Sequence, residues 1–203
     1  MFMLRRFAKF KNFKINFGVV NLQPKALNQT LFRTVPENNK KSFSTGTANF
    51  ATQQMATKEF ALNEVEGDLF SAPKNFSLAH CVAADFGMGA GIAVKFKQMY
   101  GSVDELLSQG VQTGGVAVLK DNDRFVYYLV TKRVSSGKPT YNSLRSSLQA
   151  MCEHMRCNNV DKLAMPRIGC GIDGLQWDKV STELKGVFGK DKLEIVVYNF
   201  VPK

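Results

Sequence analysis

Met165-Pro166-Arg167-Ile168-Gly169-Cys170-Gly171-Ile172-Asp173 follows a short apolar run, 162–165, and reads as a strand opening into a glycine-rich loop. A second loop of the same kind lies upstream, Met88-Gly89-Ala90-Gly91-Ile92-Ala93, after the apolar run 77–83. Each precedes a helix-like segment. At such junctions backbone N–H groups face outward, and the positive end of the helix dipole favours anions. Glycine belongs there because a Cβ would hold the backbone away from phosphate oxygens and would penalise positive φ. Two phosphate cradles in one small domain, the second closed by Asp173, point to a ligand with a diphosphate.

Outward from these loops, strand-like runs fall at 62–69, 78–82, 116–119, 125–131, 163–165 and 193–200, and helical segments at 91–100, 103–108, 141–158 and 175–188. In the third helix Leu144, Leu148, Met151 and Met155 recur at helical spacing and should face the sheet. Continuous apolar strands such as Ile195-Val196-Val197 imply burial on both faces, hence helices on either side of a sheet. Asp121-Asn122-Asp123 is too short for a helical crossover, so the strands it joins should be antiparallel. The expected fold is α/β: three layers around a central mixed, mostly parallel sheet. Ligands of such folds bind beyond the carboxyl ends of the strands, where His80, Cys81, Lys132 and Asp173 also gather. A dinucleotide fingerprint over Gly87-Met88-Gly89-Ala90-Gly91-Ile92 fails because position 92 is not glycine, and no Walker A motif occurs.

Charge divides the chain near residue 55. Residues 1–54 hold nine Lys or Arg against one acid, Glu37, whereas the 18 basic and 16 acidic residues of 55–203 nearly cancel. The basic, acid-poor start ending in Lys40-Lys41-Ser42-Phe43-Ser44-Thr45-Gly46-Thr47 reads as a largely disordered mitochondrial transit peptide. The alternative is a basic arm that touches acidic partners or nucleic acid without targeting. Met55 offers a second start, and a protein initiated there should stay in the cytosol or nucleus. No uninterrupted apolar core suits a secretory signal, and no stretch is long enough to span a membrane. The body, 55–203, has the length of one domain with one core, expected to be a monomer. Its near-neutral charge argues against a nucleic-acid-binding domain. Cys81, Cys152, Cys157 and Cys170 lack zinc-ligand spacing and read as free thiols in a reducing compartment.

Five stretches taken together, Glu66-Gly67-Asp68-Leu69-Phe70, Ser77-Leu78-Ala79-His80-Cys81, the 88–93 loop, Lys138-Pro139-Thr140-Tyr141, and 165–173 with Leu175-Gln176-Trp177, resemble the macrodomains of the terminal ADP-ribose protein glycohydrolase type. The similarity runs in order from about Val65 to Phe200 and leaves out the leader. It implies an α/β/α macrodomain that binds ADP-ribose, removes it from acidic side chains of modified proteins and deacylates O-acyl-ADP-ribose. Carried over to this sequence, the pattern places adenine against Asp68, Leu69 and Phe200, with Asp68 receiving the exocyclic amine. The strand end at His80, Cys81 and Val82 joins the site. The diphosphate lies between the 89–93 backbone, with Gly89, Gly91, Ile92 and Ala93, and the 168–172 backbone, with Ile168, Gly169, Cys170, Gly171 and Ile172; Met88, Pro166 and Arg167 are further substrate-binding residues. Ala83 departs from the small hydroxyl residue of some relatives. Lys132 and Asp173 occupy the reactive positions: the lysine attacks the anomeric carbon of the distal ribose, and the aspartate serves as acid and base. Neither a metal nor a cofactor is implied.

Each assignment has a plainer counterpart. A lysine at a strand end is usually solvated surface. Asp173 could cap the helix that begins near Leu175. His80 and Cys81 alternate across a strand, so they cannot form a thiol–imidazole pair directly. Cys81 and Cys170 read as small packing residues, and Trp177 as core at a helix start rather than a stacking platform. The function classes are then hydrolase, with a non-catalytic ADP-ribose reader as runner-up. A nucleotide oxidoreductase is disfavoured by the failed fingerprint.

Overall fold

A computed structural model describes residues 59–200. The leader and both candidate starts lie outside the described residues. In chain order the elements are β1 (Ala61–Glu66), a 3-10 turn (Leu69–Ser71), β2 (Ser77–Ala83), α1 (Ile92–Tyr100), α2 (Val103–Ser108), β3 (Val116–Asp121), β4 (Arg124–Lys132), α3 (Tyr141–Cys157), β5 (Lys162–Pro166), α4 (Trp177–Phe188) and β6 (Glu194–Asn199). They build one six-stranded sheet in the order β1-β6-β5-β2-β4-β3. All neighbours are parallel except β3 and β4. That pair turns through Asn122-Asp123, and Asn122 takes the left-handed φ of 53° that a two-residue hairpin demands.

Two cores, one on each face, make the three layers. Strand alternation sends Ala79, Tyr127, Leu129, Leu163, Met165, Ile195 and Val197 to one face, under α3 and α4. The expected stripe Leu144, Leu148, Met151 and Met155 closes that layer, with Val180, Leu184 and Phe188 from α4. Leu78, Val82, Val126, Tyr128, Val130 and Ala164 face the other way, under Phe96 of α1 and Leu106 of α2. At the start of α3, Thr140 and Ser143 exchange side-chain and backbone hydrogen bonds. Ser143 Oγ also donates to the Thr131 carbonyl at 2.7 Å, which fastens the helix to the end of β4 beside Lys132.

Three of the boundaries that differ from the sequence reading bear on the site. The first strand stops at Glu66, not 69, because Asp68 accepts the Phe70 N–H at 3.0 Å and starts the 3-10 turn. The last strand ends at Asn199, so Phe200 follows it with 75% of its surface exposed. The last helix begins at Trp177, not 175, after a loop in which the Leu175 N–H donates to the Gly169 carbonyl. That delay removes the second glycine loop from the helix N-terminus. Only the first loop has a helix dipole directly behind it, with Gly91 as the N-cap of α1.

Candidate active site

A cavity of about 1210 Å³ crosses the carboxyl ends of the parallel strands. Strand order assigns its parts. Asp68, following β1, and Phe200, following β6, flank one end; the loops after β5 and β2 form the middle; Lys132, the last residue of β4, marks the other end. Nearly every site residue expected from sequence lines this cavity. They are Asp68, Leu69, Cys81, Val82, Met88, Gly89, Gly91, Ile92, Ala93, Lys132, Pro166, Arg167, Ile168, Gly169, Cys170, Gly171, Ile172, Asp173 and Phe200.

His80 is the exception and has to be withdrawn from the site. It is fully buried on the α1 side of β2, and its ring stacks on Phe96 at 3.8 Å and meets Tyr128 edge-on at 4.8 Å. Burial pushes its imidazole down to about 3, so it is neutral at physiological pH. Cys81, on the opposite face, and Val82, on the same face but nearer the carboxyl end of β2, both line the cavity, so it is depth along the strand that keeps His80 out. Burial also pushes the Cys81 thiol up to about 12, helped by the Asp173 charge, which leaves no thiolate for nucleophilic work at neutral pH.

The glycines act for two different reasons. Gly91 and Gly169 hold left-handed backbone, φ 59° and 70°. Gly171 does not, and a Cβ built there meets nothing within 4 Å; its role is to leave the cavity open. A Cβ on Gly91 would stand 3.3 Å from Ile172 Cδ1, so the two loops approach each other across the cavity. Lys138 Nζ donates to the Ile172 carbonyl at 2.7 Å and ties the second loop to the segment after β4. On the other side Asp85 accepts from Ser135 N–H and Oγ, both at 2.7 Å, and from Gly87 N–H at 3.2 Å. The two loops that flank Lys132 are thereby joined.

Lys132 Nζ lies 2.7 Å from Asp173 Oδ1, and the two side chains are only 14% and 15% exposed. The helix-cap alternative for Asp173 fails: α4 is capped by Gln176 without a side-chain hydrogen bond. Among the described residues no three His, Cys, Asp or Glu side chains gather as a metal site.

Sequence reasoning missed several cavity residues, among them Lys95 and Ser135, and gave Trp177 only half its role. Trp177 packs on the α3–α4 core and also lines the cavity. Its Nε1 donates to Glu64 Oε1 at 2.7 Å, while Glu64 Oε2 accepts from Arg167 Nη2 at 2.7 Å, Arg167 Nε at 3.0 Å and Asn199 Nδ2 at 3.0 Å. One carboxylate on β1 thus gathers the second loop, the start of α4 and the end of β6. The hydrogen bond from Asn199, with those from Arg167 and Trp177, holds Glu64 below the usual carboxylate range. Because that shift is downward, the clamp is intact above the ordinary carboxylate range and is lost as pH falls through the lowered value. We expect Glu64→Ala to weaken ligand binding by roughly threefold to tenfold, up to about 1.4 kcal/mol, with Glu64→Gln intermediate. Calorimetry at pH 7 checks this, and equal affinity in all three proteins would contradict it.

Comparison with known proteins agrees with the geometry. The family model described as Macro domain matches residues 79–184. The chain is 54% identical over 134 residues, 66% of its own length and 88% of the relative, to a human (Homo sapiens) protein named ADP-ribose glycohydrolase OARD1. It is 53% identical over the same coverage to the protein of that name from Bos taurus. Among solved structures, the macrodomain of Thermus aquaticus DarG superposes with a TM-score of 0.62 at 23% identity, covering 69% of this chain and 99% of that one. A second, Thermosipho africanus DarTG in complex with ADP-ribose, gives 0.60 at 22% identity, covering 70% and 42%.

Proposed function

The chain belongs to the macrodomain family, and from that premise we propose that it is an ADP-ribose hydrolase that releases ADP-ribose from glutamate and aspartate side chains of modified proteins and deacylates O-acyl-ADP-ribose. The observation that carries the reading is the Lys132–Asp173 contact at the β4 end of a cavity with two glycine loops. Adenine lies at Asp68, Leu69 and Phe200, the diphosphate between the loops, and the distal ribose at Lys132.

A lysine attacks only as the free amine, and Asp173 Oδ1, 2.7 Å away, is the base within reach of its proton. The amine nitrogen bonds to the anomeric carbon, and the bond from that carbon to the ester oxygen breaks. Its electron pair leaves with the acceptor's carboxylate, which takes from Asp173 the proton that came from the lysine. Water then attacks the same carbon, Asp173 takes the water's proton, and the lysine departs as a neutral amine to which Asp173 returns a proton. A reader would need the loops and Asp68 but has no use for a mostly buried amine–carboxylate pair. Denaturing mass measurement after incubation with ADP-ribose tests the mechanism: we expect an adduct of protein and ADP-ribose less one water.

For location, we propose that the Met1-initiated form enters mitochondria and that a Met55-initiated form remains in the cytosol or nucleus. The support is the charge step at residue 55. Residues 1–55 fused to a fluorescent reporter should label mitochondria, and diffuse fluorescence would overturn the targeting claim.

A further inference from the structure

The base end of the cavity carries a second charged group. Lys95, on α1, reaches across to Asp68: its Nζ lies 2.7 Å from Oδ2 and 4.6 Å from the centre of the Phe70 ring. Oδ1 accepts the Phe70 N–H at 3.0 Å. Both charged side chains line the cavity and stay about half exposed, at 49% and 46%. An anionic acceptor and a cationic donor therefore stand one hydrogen bond apart where a purine edge would be read.

A lone carboxylate selects a 6-aminopurine. The exocyclic amine donates to it, whereas a 6-oxopurine can bring its N1–H to the carboxylate only with its carbonyl oxygen held against the anion. An ammonium beside the carboxylate changes this. Nζ has three protons, and only one is committed to Asp68. Its flexible stem lets another reach a 6-oxo oxygen. The N1–H of a 6-oxopurine, which adenine lacks, can meanwhile donate to Asp68. We propose that Lys95 makes this base pocket tolerant of 6-oxopurines, so that the protein also binds the hypoxanthine analogue of ADP-ribose, inosine diphosphate ribose. The proposal rests on the reading that Asp68 faces the base.

Calorimetric titration of the full chain with ADP-ribose and with inosine diphosphate ribose tests it, using wild type, Lys95→Met and Asp68→Ala. Methionine keeps the length of the stem and the helix propensity while removing the donor. We expect the preference for ADP-ribose over the inosine analogue to widen by fivefold or more in Lys95→Met. A smaller change overturns the role of Lys95. Asp68→Ala separates the two readings. If it leaves ADP-ribose affinity unchanged, the placement of the base is wrong and both readings fall. If it weakens ADP-ribose while Lys95→Met leaves the preference as in wild type, only the lysine's role is lost.

Discussion

Lys132→Ala is expected to abolish both the covalent adduct with ADP-ribose and release from glutamate-linked substrate, while ADP-ribose affinity stays within about tenfold, or 1.4 kcal/mol. The separation follows from construction: Lys132 sits at the end of β4, whereas the loops assigned to the diphosphate come from the ends of β2 and β5. Truncating the lysine also leaves the Asp173 carboxylate, 15% exposed, without its cation. Some of the affinity change therefore reflects an unpaired charge near an anionic ligand rather than a lost contact. Asp173→Asn keeps the shape and removes the base. It should lower turnover by roughly 10²–10⁴-fold, the usual range for a general acid or base: adduct forms more slowly because the amine has lost its base, and persists once formed because water is no longer activated. Gel assays of release and intact mass of each variant check the pair. Near wild-type turnover in Lys132→Ala would end the covalent mechanism even if the hydrolase class stood.

Much of this architecture was legible because it is written in local patterns. The Leu144, Leu148, Met151, Met155 spacing marks α3, alternation marks the strands, and the brevity of the link at Asn122 marks the one antiparallel pair. The glycine loops and Asp173 could be read for the same reason. What escaped depends on residues far apart in the chain. Lys95 meets Asp68 across 27 positions, and Glu64 meets Trp177 across 113 and Asn199 across 135. No periodicity links such partners: Glu64 meets Asn199 because β1 pairs with β6, while Lys95 and Trp177 reach Asp68 and Glu64 from helices that border the cavity. His80 failed for the opposite reason. Cys81 and Val82, which follow it, do line the cavity, but His80 lies deeper along β2, and its imidazole packs into the α1 core against Phe96. The helix dipole expected behind the second loop is likewise absent, since Gly174, at φ 78°, and the residues around it put a turn between the loop and α4.

Gly171→Val should remove ADP-ribose binding from a protein that still folds. The distinction lies in the backbone. At Gly91 a valine would have to hold φ 59° and place its Cβ 3.3 Å from Ile172 Cδ1, a strain of about 1–3 kcal/mol before any ligand is considered. At Gly169 the Cβ would stand 2.7 Å from Leu175 Cδ1, again with positive φ. Loss of binding in either variant could be loss of structure. Gly171 has neither problem: its φ is not left-handed, and the space beside it is open and belongs to the cavity wall. A valine there leaves the protein's own packing alone and fills the volume assigned to the diphosphate. It also keeps the phosphate oxygens from the backbone N–H groups on which a cradle depends. We expect affinity to fall at least 100-fold, about 2.7 kcal/mol, with a melting temperature within a few degrees of wild type. Calorimetry and thermal melting read the two quantities on one sample. Unchanged affinity in folded Gly171→Val would mean that the diphosphate does not lie along this loop, and the orientation of the ligand from Asp68 to Lys132 would have to be abandoned with it.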